Sequence, residues 1–351
     1  MCRRCRPRVG GCCSPQGPVI RVGNRFQGRD RRRADAGSGG FVAFHSVWND
    51  GMQKVNAKPP VKIGMRRALK AASKNAASQA SSKDRRSVRA ISVSSGKGGV
   101  GKSSVVVNLA IAFDRLGQRV LIIDGDLGLA NIHVLLGLSP QYSIRDVLEG
   151  RRTLEEVLIA GPGKIRILPA ISGKRTLTRF TDEQKLIFLE MLDGLETEID
   201  VLLIDTGAGI SDTVLYFNLA AQEKIIVVNS DPASIADAYT LIETLYTKYR
   251  ERHFGVLANG VRGARAGKDI FSRLCKAADH LLDGLSLDYL GSIPHDPCIH
   301  QAVIEQRPVM EAFPEAPSAA AFMRVAEGIR KAAPNTNHGT IRFFRKHILN
   351  A

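Results

Sequence analysis

The sequence is poor in cysteine beyond its first residues and has no long apolar run. After Cys13 only Cys275 and Cys298 remain, and isolated cysteines of this kind are typical of a reducing compartment such as the cytoplasm. No segment approaches the roughly 18 consecutive apolar residues that a membrane-spanning helix requires. The arginines near the N-terminus are not followed by an apolar stretch, so no secretory signal is recognisable. These absences predict a cytoplasmic protein that is soluble or only peripherally attached to a membrane.

Acidic residues are nearly missing from the front of the chain. Residues 1–90 contain 21 Lys and Arg against 4 Asp and Glu, whereas residues 91–351 contain 29 against 30. The net charge of +16 therefore comes from the front segment. Because hydrophobic periodicity is also missing until about Val88, residues 1–87 are predicted to form a solvated, disordered arm. Aromatic residues are sparse in this arm, and the nearly neutral remainder argues against a nucleic-acid partner.

Four of the six cysteines lie within the first 13 residues. The first two have C-x-x-C spacing, which can begin a zinc site, but no matching pair of His or Cys follows at finger spacing. The leading alternative is that translation starts at Met52 or Met65, because nothing upstream of these residues resembles folded structure.

From Val88 onward, short β-branched runs alternate with helical patterns. Several runs are apolar at successive positions, as in strands that are covered on both faces. The predicted strands cover residues 88–95, 119–124, 164–170, 200–206, 224–230, 254–259 and 287–294. The predicted helices cover residues 102–117, 183–195, 212–222, 234–251, 267–283 and 318–331. This alternation predicts an α/β fold with right-handed crossovers and a mostly parallel sheet, in one domain over residues 88–333.

The stretch from Gly96 to Ser103 fits the pattern G-x-x-x-x-G-K-[ST] and lies between a predicted strand and a predicted helix. Glycines in such a loop allow backbone N–H groups to surround phosphate oxygens, and the helix N-terminus adds positive potential. Lys102 is predicted to contact the β- and γ-phosphates of a nucleotide, and the Ser103 hydroxyl to bind Mg²⁺. Ser104 offers a further hydroxyl group, which either binds the α-phosphate of the nucleotide or binds no ligand. The other predicted nucleotide-binding residues of this loop are Lys97, Gly98, Gly99, Val100 and Gly101.

Aspartates end two of the predicted strands. Asp205 ends an apolar strand and is the natural Walker B partner of the magnesium ion, held through water. Asp124 and Asp126 flank a glycine at the end of the second strand, and strand alternation turns both toward the same side. Asp126 lies further out and is predicted to hold the attacking water. The alternative is an aspartate that only caps a turn or a helix.

Lys97 is one lysine more than the phosphate-binding pattern requires. The string K-G-G-V-G-K-S resembles the deviant Walker A motif of the MinD/ParA group of P-loop ATPases. This resemblance implies a three-layer SIMIBI-type fold, ATP and Mg²⁺ as ligands, and a homodimer that encloses ATP. It also implies that Lys97 contacts the nucleotide of the other subunit, that Asp126 is the switch I aspartate, and that Asp205 is the Walker B residue. Asn259 and Pro294 are implied to lie near the adenine.

The chain further resembles the flagellar-number regulators called FlhG or FleN over almost all of residues 90–330. The blocks that carry this similarity include DGDLGLANIHVLLGL, YSIRDVLEG, LLIDTGAGISDTVLYFNLAAQE and GSIPHDPCIHQAVIEQRPV. The resemblance implies a slow, switch-type ATPase that regulates flagellar number and placement at the inner face of the cell membrane, including the cell pole. Implied partners are the SRP-type GTPase FlhF, a FleQ-like transcriptional activator or switch-complex proteins. A DQAxxLR-like activator segment, usual at the N-terminus of that family, is not found in residues 1–90.

Four other interpretations share part of the pattern. A MinD-type division-site ATPase shares two of the sequence blocks but not the whole set. A ParA-type DNA-segregation ATPase needs a basic surface, against which the neutral domain argues. A redox or cluster-carrying ATPase needs a pair of interface cysteines, whereas Cys275 and Cys298 lie in late elements. A pure adaptor would bind ATP without hydrolysing it.

The C-terminal segment over residues 334–351 is predicted to be a linker followed by a basic amphipathic helix. At 100° per residue, Ile341, Phe343, Phe344 and Ile348 fall on one arc, opposite a basic arc. A helix of roughly ten residues is marginal in water and is expected to form on a surface. The functional interpretation is reversible attachment to an anionic membrane, similar to the C-terminal helix of MinD and FlhG. The alternative is a helix docked on the protein's own sheet, and the two states could alternate with the nucleotide.

Overall fold

The computed structural model describes residues 88–170, 180–195, 198–279 and 284–333, together with Phe343. The predicted basic arm, its cysteines and both alternative start methionines lie outside the described residues, so these interpretations stay predictions. Among the helices of the described residues, none is long and apolar enough to cross a membrane.

An eight-stranded sheet forms the centre of the described residues. Its strands are β1 (Arg89–Ser95), β2 (Val120–Gly125), β3 (Ile159–Ala160), β4 (Arg166–Leu168), β5 (Val201–Ala208), β6 (Glu223–Val228), β7 (His253–Val261) and β8 (Ser286–Pro294). Their order across the sheet is β3-β4-β2-β5-β1-β6-β7-β8. Every neighbouring pair is parallel except β3 with β4. The prediction of a mostly parallel sheet is confirmed.

Helices connect the strands and cover the sheet. They are α1 (Lys102–Arg115), α2 (Ile132–Leu135), α3 (Ile144–Leu148), α4 (Leu154–Val157), α5 (Asp182–Asp193), α6 (Asp212–Ala220), α7 (Pro232–Tyr249), α8 (Ala264–Asp279), α9 (Pro297–Ile304), α10 (Val309–Ala312) and α11 (Pro317–Lys331). The six predicted helices correspond to α1, α5, α6, α7, α8 and α11. The five that were not predicted contain eight residues or fewer, so they show little helical periodicity.

The third predicted strand is shorter in the structure than its sequence pattern. Residues 164–170 were predicted as a strand, whereas β4 contains only three residues. Pro169 follows directly and has no N–H to donate to a neighbouring strand. Its carbonyl instead accepts a hydrogen bond from the Ile144 N–H at 2.9 Å. A pattern of β-branched residues therefore overestimated the length of the paired segment.

Alternate side chains of each strand pack into layers on opposite faces of the sheet. Ile91 and Val93 belong to the hydrophobic cluster formed with α1 and with α9 to α11. Ala90 belongs to the cluster formed with α5 and α6 on the other face. A further cluster joins β6 and β7 with α6, α7 and α8. This arrangement is the predicted three-layer α/β fold.

One buried patch of the sheet is polar. Ser92, Ser94, Thr206 and Asn218 are fully buried. Ser92 Oγ donates to Asn218 Oδ1 at 3.0 Å, and Asn218 Nδ2 donates to Ser94 Oγ at 2.8 Å. Ser94 Oγ and Thr206 Oγ1 are also hydrogen-bonded, at 2.9 Å. Because buried polar groups are stable only when paired, this network joins α6 to β1 and β5.

Candidate functional site

The phosphate-binding loop connects β1 to α1 and requires glycine at specific positions. Gly99 and Gly101 have φ angles of 78° and 86°, in the left-handed region that side chains disfavour. A Cβ at Gly96 would lie 2.0 Å from the Asp237 carbonyl carbon, so only glycine fits there. A Cβ at Gly98 or Gly99 would meet nothing within 4 Å. The loop therefore leaves open space above these two glycines, as a phosphate group would need.

The adjacent strands β2, β5 and β1 bring three functional segments to one edge of the sheet. Because parallel strands end at the same edge, the phosphate-binding loop, Asp124 and Asp205 lie together. Asp124 and Asp205 are direct partners in the β2–β5 register. The edge therefore combines a cationic loop with two buried carboxylates.

Lys102 and Asp205 form a buried ion pair, with Nζ 2.9 Å from Oδ1. Burial raises the pKa of the Asp205 carboxyl, and the nearby Lys102 ammonium opposes this shift. The other carboxylate oxygen, Oδ2, is buried and has no hydrogen-bond partner among the described residues. Such an orphaned acceptor suits the water shell of Mg²⁺, because it can accept hydrogen bonds from metal-bound water. The donor set of Asp205 and the neighbouring Ser103 hydroxyl therefore fits this ion.

Asp124 lies at the end of β2 and is fully buried. Its Oδ1 accepts a hydrogen bond from the Asp126 N–H at 3.3 Å. Its Oδ2 accepts from the N–H groups of Asn131 and Ile132 at 3.1 and 3.2 Å. Burial, together with the charge of Asp205, raises the pKa of Asp124 to about 8. The sequence placed Asp124 beside the site but gave it no role.

Asp126 lies in the loop after β2, where both sequence interpretations of this residue can be compared. Its Oδ1 accepts a hydrogen bond from the Leu129 N–H at 3.0 Å, which is the contact of a turn aspartate. Its carboxyl also faces the C-terminal end of β5, since a Cβ at Gly207 would lie 3.8 Å from Asp126 Oδ1. The Asp126 carboxyl group therefore makes the turn contact and also lies beside the phosphate-binding edge. Its water-holding role stays a prediction.

Lys97 forms an ion pair with Asp231, and both side chains are about half exposed, at 40% each. The hydrogen bond with Asp231 raises the pKa of Lys97, and the same bond lowers the pKa of Asp231. Asp231 also caps α7, since its Oδ1 accepts the Ala233 N–H at 2.9 Å. In this single chain Lys97 is therefore held at the start of α7.

Asn259 contacts the phosphate-binding loop itself. Its Nδ2 donates to the Val100 carbonyl at 2.7 Å, and a Cβ at Gly101 would lie 2.4 Å from the same nitrogen. Pro294 ends β8 and pairs in register with Val261 of β7. Both predicted adenine-contacting residues thus lie at the ends of the last two strands, and their contact with adenine stays a prediction.

Phe343 is buried against the domain, with 1% of its surface exposed. Its ring lies edge-on to Phe188 of α5, at 6.0 Å between centroids and 87° between planes. Its N–H donates to the Ala220 carbonyl at the end of α6, at 3.1 Å. Phe343, the described residue of the tail, thus packs on α5 and α6, and the two interpretations of the tail as a whole stay predictions. The other predicted membrane-facing residues, Ile341, Phe344 and Ile348, lie outside the described residues.

Asp231 and Asp124 are the functional candidates that the sequence interpretation missed. Asp231 precedes Pro232, and this pair is a recognisable helix start. Its contact with Lys97 spans 134 residues of sequence, however, and no local pattern reports it. For Asp124 the available signal was a carboxylate in an otherwise apolar strand, which requires partners when buried.

Residues 87–330 match the ParA family model, described as NUBPL iron-transfer P-loop NTPase. The chain is 43% identical to the antiactivator FleN of Pseudomonas aeruginosa over 263 residues, which cover 75% of this chain and 94% of FleN. It is 34% identical to the flagellum site-determining protein YlxH of Helicobacter pylori, over 64% of this chain and 76% of YlxH.

Solved structures of septum site-determining proteins are also similar. MinD of Pyrococcus horikoshii in complex with Mg-ADP superposes with a TM-score of 0.56 at 27% identity, covering 70% of this chain and 96% of that structure. The cell division ATPase MinD of Pyrococcus furiosus gives the same TM-score of 0.56 and the same identity of 27%.

Proposed function

Because the chain belongs to the ParA family of P-loop NTPases and to its FleN branch, we propose that it switches between a monomer and an ATP-bound dimer. Slow ATP hydrolysis by this switch would time the regulation of flagellar number and placement. The observation that carries the proposal is that Lys97 of the phosphate-binding loop is paired with Asp231 of its own chain, while Lys102 of the same loop is paired with Asp205.

Binding of Mg-ATP would rearrange the buried ion pair at the sheet edge. Lys102 would turn from Asp205 to the β- and γ-phosphates, while the backbone N–H groups around Gly98 and Gly99 hold phosphate oxygens. Asp205 Oδ2 and the Ser103 hydroxyl would hold the magnesium ion, Asp205 through water. Mg²⁺ held there would offset the negative charge that develops on the phosphate oxygens.

Hydrolysis needs a positioned water and a second source of positive charge. Asp126 would accept a hydrogen bond from the attacking water and orient its oxygen toward the γ-phosphate. Lys97 would leave Asp231 and contact the nucleotide of the partner subunit, where it offsets negative charge between the phosphates. A single chain keeps Lys97 on Asp231, so hydrolysis would be tied to the dimer.

Membrane attachment would compete with the docked state of the tail. Phe343 belongs to the predicted lipid-facing arc and is buried against Phe188 in this structure. Attachment to an anionic membrane would therefore require Phe343 to leave its aromatic partners. The docked tail and the membrane-attached tail would then be two states of one equilibrium, and attachment would take place at the inner face of the cell membrane.

The flagellar role rests on the relatives rather than on the site. FleN is described as an antiactivator and YlxH as a flagellum site-determining protein. By similarity, a FleQ-like transcriptional activator, the GTPase FlhF or the switch-complex proteins would be partners of this chain. Counting flagella in cells that carry Lys102→Ala tests this part, and an unchanged count would favour a division-site or DNA-segregation role.

The substitution Lys97→Ala tests the switch itself. It should retain ATP binding, because Lys102 and the loop glycines are unchanged, but lose ATP-dependent dimerisation on size exclusion. Lys164→Ala is the matched control, since Lys164 is exposed and lies outside the phosphate-binding edge. A dimer of normal affinity in the Lys97→Ala protein would contradict the proposal.

A further inference from the structure

The two ends of the loop between β2 and α2 are both hydrogen-bonded to one buried carboxyl group, that of Asp124. Asp124 receives three backbone N–H groups, from Asp126 at the start of the loop and from Asn131 and Ile132 at its end. The tip of the loop is exposed to solvent, with Leu129 73% exposed. Ile132 is fully buried in the hydrophobic core. Asp124 thus joins the two ends of a loop whose tip is exposed.

The position of Asp126 depends on this closure. Its backbone N–H is bonded to Asp124, and its side chain bonds forward to the Leu129 N–H. Neighbouring Gly125 lets the chain pass closely over the core, since a Cβ there would lie 2.8 Å from the Phe217 ring and 3.0 Å from the Asp205 carbonyl. The Asp126 carboxyl consequently faces Gly207 near the C-terminal end of β5.

Burying a carboxylate is unfavourable unless hydrogen bonds compensate for the lost water. Three backbone N–H groups of a single loop offset part of this cost for the Asp124 carboxyl group, so the conformation of that loop and the burial of the group depend on each other. An acceptor that only stabilised the end of β2 would not need N–H groups from seven and eight residues further along the chain. The contacts therefore define a shape for the loop that carries Asp126.

We propose that Asp124 is a positioning residue for ATP hydrolysis, which acts by holding Asp126 in the orientation that places the attacking water. The proposal rests on the proposed role of Asp126 as the residue that holds this water. Asp124 itself contacts neither the nucleotide nor the water. Its effect should appear in the rate of the chemical step and not in the affinity for ATP.

The substitution Asp124→Asn isolates this role with little change in volume. The amide oxygen can still accept from Asn131 and Ile132, whereas the amide NH₂ cannot accept from the Asp126 N–H. We expect kcat to fall about 10- to 100-fold, as displacement of a catalytic group by about 1 Å does. KM and the dissociation constant for ATP should change less than about twofold, because the binding groups are untouched. The ATP-bound dimer should accumulate on size exclusion, since hydrolysis no longer dissolves it.

A double-mutant cycle with Asp126→Ala separates positioning from a general structural role. If Asp124 acts through Asp126, adding Asp124→Asn to Asp126→Ala should change the residual rate by less than about twofold. An equal loss in both backgrounds, or a loss of ATP affinity with a lowered melting temperature, would overturn the proposal. So would a kcat of Asp124→Asn equal to that of the unsubstituted protein.

The same cycle distinguishes this proposal from the one on which it rests. Undiminished phosphate release by Asp126→Ala would refute the water-holding role of Asp126, and the positioning role of Asp124 with it. A slow Asp126→Ala protein beside a fully active Asp124→Asn protein would refute only the positioning role.

Discussion

Replacing Phe188 by leucine should release the C-terminal tail without changing the tail's own sequence. Phe188 belongs to α5 and contacts Phe343 edge-on at 6.0 Å. Leucine keeps an apolar side chain in the core but removes the aromatic pair. A substitution at Phe343 itself would be ambiguous, since it would weaken both the docked state and the predicted contact with lipid.

The expected magnitude follows from the geometry of this ring pair. An edge-to-face aromatic contact contributes about 0.5–1.5 kcal/mol beyond the burial of its area. Since about 1.4 kcal/mol corresponds to a factor of ten, loss of the pair should raise the population of released tails about 2- to 12-fold. Phe188 also pairs with Phe180 at 5.8 Å and with Phe217 at 6.1 Å, so some loss of overall stability should accompany the release.

Sedimentation with anionic liposomes in the absence of nucleotide measures the released state. Phe188→Leu should pellet more than the unsubstituted chain, and truncation after Asn337 should abolish pelleting in both backgrounds. Phe271→Leu is the matched control, because it removes an aromatic pair with Tyr289 at 5.3 Å that has no contact with Phe343. Pelleting of Phe188→Leu that equals that of Phe271→Leu, at a comparable loss of thermal stability, would refute the idea that docking restrains the tail.

Two predictions concern charged groups at the site. Asp231→Asn keeps a side-chain acceptor for the start of α7 but removes the ion pair with Lys97, so the ATP-dependent dimer should form at a lower protein concentration in analytical ultracentrifugation; an unchanged or weaker dimer would contradict a restraining role. The buried Asp124, with its pKa raised to about 8, binds a proton more tightly in the folded than in the unfolded chain. The nucleotide-free protein should therefore lose stability as the pH rises from about 4 through about 8, and Asp124→Asn should flatten this dependence in urea unfolding; identical pH profiles would contradict the shifted pKa.

The positions of most strands could be predicted from the sequence because their signals are local. Apolar runs such as residues 200–206 indicated strands covered on both faces, and the glycine pattern from Gly96 to Ser103 indicated which edge carries the ligand. Both depend on neighbouring residues only. The two-residue strand β3 could not be predicted in this way, because it is defined by its partner β4 and not by its own composition.

Contacts between distant residues explain what the sequence left open at the site. The surplus lysine at position 97 was recognisable, but the residue that holds it in a single chain, Asp231, was not. The two aspartates around Gly125 were both visible, yet only the folded loop shows that Asp124 bonds the backbone and that Asp126 faces Gly207. For Phe343, amphipathic periodicity indicates an apolar face but cannot tell whether lipid or protein covers it.

Helix α6 lies between the phosphate-binding edge and the contact with Phe343. It is capped by Ser211, after the short loop that follows β5, and the carbonyl of its last residue, Ala220, accepts a hydrogen bond from the Phe343 N–H. The helix contains nine residues, which at 1.5 Å per residue gives it a length of about 13 Å. Near the C-terminal end of this helix, the Asn218 side chain is hydrogen-bonded to Ser92 and Ser94 of β1. The segment that follows Asp205 and the contact of Phe343 therefore lie at opposite ends of one helix.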